Sequence, residues 1–256
     1  MKAAYLAIVI ACLTGRDIFA QPPQDTTSRA TMPSARKIEA TAVVAMCSVP
    51  YCLDLAWQIP LGSRLGWLTA SAANPDPVRS PARVFLLRGT GTVFSSGYGE
   101  LCTRLRRAGI WSEDLADVGN HWICRHLLAE HRAGRLRGAV VLVGHSRGGR
   151  HVLDAARELE KAGIAVDLLV CVDVALPPTV PRNVRRAISM YMSQRRIYPA
   201  DPLRRDDGSI AGIENIDLND PNATIKVRGL HHLNITASPA VHDLIVERIR
   251  QLAGNK

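Results

Sequence analysis

A serine stands between glycines at Gly144-His145-Ser146-Arg147-Gly148, with Gly149 following directly. The apolar run 139–143 leads into this segment, and a helix-like run from Arg150 to Ala162 leads out. A chain that passes from strand to helix in so few residues must bend sharply. Glycine is needed wherever a Cβ would strike the neighbouring strand or helix, and the serine is lifted clear at a helix N-terminus. Such a bend serves nucleophilic attack by the Ser146 hydroxyl, with the backbone N–H of Arg147 aimed at a developing oxyanion. Gly144, His145 and Gly148 are the expected elbow residues.

A serine hydroxyl is a weak nucleophile at neutral pH. It needs a base, and the base needs an acid to orient it. The strand-like run 224–230 ends at His231-His232, where a catalytic loop belongs, and His232 is the expected base, with His231 as the alternate. His151 lies within the helix after the serine and His242 lies in the last helix. Asp173 closes the apolar run 166–172, and catalytic groups in open α/β sheets gather at that end of the strands. It is the expected acid, and Asp217 and Asp220, one strand later, are the alternates. A second oxyanion donor is expected from Gly89 or Thr90 in Arg88-Gly89-Thr90-Gly91, where glycines let backbone N–H groups approach closely.

The elements that must hold these residues alternate. Strands are expected at 83–88, 110–111, 139–143 and 166–172, with weaker ones at 213–218 and 224–227. Helices are expected at 98–108, 121–131, 150–162, 184–192 and 241–252. The strands are unbroken apolar runs rather than alternating ones, so both faces are covered. The reading is an α/β fold with a mostly parallel central sheet flanked by helices.

On these residues the chain resembles the α/β-hydrolase superfamily, over Arg83 to Leu252. The resemblance is carried by Arg88-Gly89-Thr90-Gly91, the elbow at Ser146, Asp173 and His232, in the chain order Ser, Asp, His. The stretches 166–174, 181–184 and 232–235 look like a small bacterial group of thioesterase- or lipase-like proteins. An acid after the strand that follows the elbow is similar to the thioesterase branch, whereas other branches place it one strand later. The resemblance implies a serine hydrolase that cleaves a small-molecule ester or thioester through an acyl-enzyme, without metal or organic cofactor. Acyl transfer on the same fold, or a non-catalytic envelope protein that retains it, are the alternatives. Two departures stand out: Arg88 takes the place of the usual histidine, and Arg147 follows the nucleophile, where it would suit an anionic group.

The rest of the composition narrows the field. At 256 residues the chain is long enough for one sizeable core. The net charge is +9, and 27 of the 32 basic residues are arginine. These are scattered, with no nucleic-acid-binding signature, so they read as solvated helix faces rather than as a nucleic-acid surface. The six cysteines show no zinc spacing, and His121, His126 and His131 do not share a helical face, so no metal is expected. Residues 1–20, with a basic start and the apolar run 5–13, read as a signal or leader segment. They point to export, into the periplasm or onto a membrane, with a cytoplasmic protein as the alternative. Residues 21–80 read as linker plus an apolar extension, where Cys47 and Cys52 would pair in an exported protein. Residues 81–256 read as the hydrolase domain.

Overall fold

The computed structural model describes residues 64–90, 92, 95–175, 177–193, 200–223, 225, 227 and 229–254. The leader segment, the apolar run 40–53 and the Cys47–Cys52 pair lie outside the described residues. Among the described residues, no helix is long and apolar enough to cross a membrane.

The chain runs α1 (Gly66–Thr69), β1 (Ala82–Leu87), α2 (Gly97–Arg107), β2 (Trp111–Leu115), α3 (Asn120–Arg132), β3 (Ala139–His145), α4 (Arg147–Glu160), β4 (Leu168–Val172), β5 (Arg186–Tyr191), β6 (Gly212–Asp217) and α5 (Pro239–Gly254). The six strands form one sheet in the order β2-β1-β3-β4-β5-β6. Every pairing is parallel. Strands β1, β3 and β4 are buried at every residue, which is why they read as continuous apolar runs. Ala82, Val84, Leu86, Val141, Val143, Val170 and Val172 pack under α2 and α5. Phe85, Leu87, Val140, Leu142, Leu169 and Cys171 pack under α3 and α4.

Strand order reverses beside β1: the chain leaves β1 toward β2 on one side, then leaves β3 toward β4 on the other. The loops after β1 and β3 therefore part at the C-terminal edge of the sheet. A crevice at such a switch point is where ligands of open α/β sheets bind. The expected oxyanion loop and the expected elbow are those two loops. Helix α4 closes on Gly163, whose φ of 69° is left-handed. The N–H of Gly163 bonds the Glu160 carbonyl and that of Ile164 bonds the Leu159 carbonyl, a C-cap that turns the chain back into β4.

Two sequence expectations change. The segment 184–192, expected as a helix, is strand β5, with four consecutive buried residues between β4 and β6. Its Arg, Ala and Met favour a helix locally, but burial on both faces as a sheet strand overrides that preference. Of the run expected as a strand at 224–227, the described residues are Ile225, which lies in a bend, and Val227, and neither is in a strand of the sheet.

The last part of the extension, 64–80, is packed on β2 and α2. Leu65 N–H bonds the Asp114 carbonyl, Ser71 N–H bonds Thr103 Oγ1 at 2.9 Å, and the Asn74 amide pairs with both backbone groups of Ser112.

Several arginines are internal braces rather than solvated charge. Arg106, buried, donates to the carbonyls of Gly66, Ala72 and Ser112. Arg83, fully buried, pairs with Glu130 at 3.2 Å and bonds the Arg135 carbonyl.

Candidate active site

Strand β3 ends at His145 and α4 begins at Arg147, so Ser146 alone makes the turn. Its φ of 54° and ψ of −124° lie in a region that side chains rarely adopt, at a cost of about 1–3 kcal/mol that the surrounding packing must hold. A hydrogen bond from Ser146 N–H to the Val172 carbonyl, 2.9 Å, anchors the turn to β4. The elbow glycines are required by close approach. A Cβ on Gly144 would lie 2.4 Å from the Gly148 carbonyl oxygen, one on Gly148 would lie 2.3 Å from that of Arg88, and one on Gly149 would meet Val174 Cγ2 at 2.1 Å. Helix α4 thus rests directly on the backbone that leaves β1.

Asp173 follows β4 and is fully buried. Its φ of 48° is also left-handed, and its N–H bonds the Met190 carbonyl at 2.7 Å. His232 lies 59 positions further along the chain, and its Nδ1 is 2.6 Å from Asp173 Oδ2. The imidazole is 27% exposed while the carboxylate is sealed, so the pair is accessible only from the histidine side. The His232 ring also stacks, tilted, against His145, with centroids 4.7 Å apart. It therefore lies against the residue that precedes Ser146.

The alternates are engaged elsewhere. The exposed His231 accepts from Leu233 N–H through Nδ1, and its own N–H bonds Asn234 Oδ1. Asp217 accepts from the N–H groups of Ser193 and Asn219. Asp220 accepts from Asn222 N–H. Both carboxylates cap turns beyond β6, the edge strand two positions from β4 in the sheet. His242 donates from Nε2 to the Thr236 carbonyl. His151 contacts the Asp117 carbonyl through Nδ1 at 2.5 Å.

In the loop after β1, Gly89 N–H is donated to the Ser95 hydroxyl at 2.8 Å. It is therefore not available to an oxyanion, and Thr90 remains of the two expected donors. Arg88, in the place of the usual histidine, forks onto Asp114 at 2.9 and 2.6 Å and reaches the Thr92 carbonyl at 3.2 Å. Asp114 also accepts from Thr69 Oγ1. The loop is therefore tied by an arginine to β2 and to α1. Arg147, 24% exposed, lies 3.5 Å from Asp117, so its charge is partly neutralised within the protein. Cys171, under the elbow, is pushed far above the ordinary thiol range by burial and stays neutral at physiological pH.

Among the described residues no group of His, Cys, Asp and Glu side chains is placed to hold a metal ion. Sequence reasoning did not single out Ser95, Asp114 or Asp117. A lone serine or aspartate in a loop has no spacing that marks it, and each becomes a partner only through the fold.

The strand order, the strand–serine–helix elbow at the switch point and the aspartate after the next strand define the α/β-hydrolase fold. No family model matches this chain, and no curated protein matches it. Among solved structures it is similar to the NocB thioesterase domain from the nocardicin cluster (14% identity over 71% of this chain and 98% of that one, TM-score 0.43). It is also similar to the type II thioesterase BorB from the borrelidin cluster (13%, 70% and 96%, TM-score 0.45). A third is an esterase of Pyrobaculum calidifontis (12%, 70% and 78%, TM-score 0.43).

Proposed function

We propose that this chain is a serine hydrolase that cleaves a small-molecule ester or thioester through an acyl-enzyme. The observation that carries the reading is the 2.6 Å contact between His232 Nδ1 and buried Asp173, set beside a serine held in a strained turn at the end of β3. The sealed carboxylate faces a half-buried imidazole whose ring lies against the residue before Ser146, which supports this reading.

Ser146 Oγ attacks the carbonyl carbon and His232 Nε2 takes its proton. Asp173 accepts from Nδ1–H, which fixes the tautomer and stabilises the imidazolium that forms. The N–H groups of Arg147 and Thr90 receive the oxyanion. Arg147 is the first residue of α4, so its N–H belongs to the positive end of the helix dipole, which favours a developing anion. The imidazolium returns its proton to the departing alkoxide or thiolate. Water then attacks the acyl-Ser146 ester, with His232 again acting as base. Residues 1–20 are proposed to export the protein.

The test is a panel of p-nitrophenyl esters and acyl thioesters on the wild type and on Ser146→Ala. Ser146→Ala is expected to lose about 10³-fold or more in kcat. Wild-type turnover in that variant would overturn the reading.

A further inference from the structure

A buried chain of polar contacts joins the two loops of the site. Gly89 N–H donates to Ser95 Oγ at 2.8 Å. The same oxygen lies 2.8 Å from His145 Nδ1. Both Ser95 and His145 are fully buried. The His145 ring in turn packs against His232. A Cβ on Gly89 would meet His145 Nδ1 at 3.0 Å and Ser146 Cβ at 3.1 Å, so loop and elbow are already in contact and the serine hydroxyl fixes their register.

We infer that Ser95 and His145 form a positioning strut that holds the Gly89–Thr90 loop against the nucleophile elbow and sets the face of the His232 imidazole. This rests on the hydrolase reading and assigns roles within it. The Ser95 hydroxyl bridges a backbone N–H one residue before the oxyanion donor Thr90 and a side chain one residue before the nucleophile. Neither residue is given a bond-making or proton-transfer step. Their effect is on where those atoms sit, and small displacements at a reacting centre are costly. Deleting the hydroxyl removes the acceptor of the buried Gly89 N–H, and a buried donor without a partner draws its loop toward another one. Arg88 and Asp114 still hold the outer side of the loop, so the fold persists while the donor shifts.

The experiment measures the rate of covalent labelling by a fluorophosphonate, together with kcat and KM for p-nitrophenyl acetate, and checks folding by thermal melting. Ser95→Ala is expected to remain folded with a cooperative melt at a somewhat lower temperature, to keep KM and to lose about tenfold or more in both labelling rate and kcat. Two substitutions at residue 145 separate the bond from the ring. Asparagine places an amide where Nδ1 stands and keeps the contact with Ser95. Glutamine places it where Nε2 stands and loses that contact. His145→Asn is expected to label about tenfold faster than His145→Gln. Equal rates for those two variants, or a folded Ser95→Ala with wild-type labelling and kcat, would overturn the strut alone. Absence of labelling in the wild type would overturn the hydrolase reading and the strut with it.

Discussion

At the scale of single residues, the site is decided by which carboxylate reaches the imidazole. Three aspartates follow strands downstream of the elbow, and only Asp173 is sealed and in contact with His232. Asp217 and Asp220 spend their oxygens on backbone N–H groups of their own turns. Asp173→Asn would present an amide to Nδ1, stabilise the wrong tautomer and lower kcat by about 10²–10⁴-fold with little change in KM. Asp217→Asn and Asp220→Asn are expected to leave kcat unchanged. Steady-state kinetics of the three variants on one ester decides the matter, and an equal loss in all three would reassign the acid.

At the scale of elements, the contact that matters is between the start of α4 and the end of β1. Gly148 lies where any side chain would strike the carbonyl oxygens of Leu87 and Arg88. Gly148→Ala must therefore move the helix off the strand, and backbone atoms cannot rotate out of the way as a side-chain tip can. A destabilisation of about 1–3 kcal/mol is expected. Activity should also fall, since the same movement displaces the oxyanion loop. Gly212, at the start of β6, is the control: a Cβ there meets nothing within 4 Å. Gly212→Ala should leave the urea midpoint and kcat where they are, while Gly148→Ala lowers both.

At the scale of the molecule, stability depends on pH through histidines that the fold keeps neutral. Burial lowers the His242 pKa, and burial lowers that of His126, which is stacked on Trp122 and Trp111. The unfolded chain titrates them near the ordinary value of about 6.5. Below that pH the unfolded state binds protons that the folded state resists. Their contribution to stability is therefore full above about pH 6.5 and is lost as the pH falls through it. Melting temperature is expected to drop between pH 7.5 and 5.5, to be read at about those two values. His242→Gln, which keeps a donor for the Thr236 carbonyl and removes the titration, should make the drop smaller. An unchanged slope would mean that His242 is not one of the groups responsible.

What could be read from the sequence alone was whatever is encoded by short-range pattern. Continuous apolar runs gave the buried parallel strands, because a strand covered on both faces needs no alternation. The glycine spacing gave the elbow, because the steric demand of that turn falls on residues within a few positions of Ser146. Asp173 and His232 could be nominated because both end strand-like runs. The mark for the histidine does not carry over into the structure, since Ile225, within the expected strand, lies in a bend. The segment 184–192 was legible as apolar but not as a strand, since its composition suits either element and only its place between β4 and β6 decides. Pairing was beyond the sequence altogether. Asp173 and His232 are 59 positions apart, Ser95 and His145 are 50 apart, and Arg88 finds Asp114, 26 positions away, on the neighbouring strand. A hydrogen bond acts over about 3 Å in space whatever the distance along the chain, so the partners are set by strand order and loop packing, which belong to the tertiary structure alone.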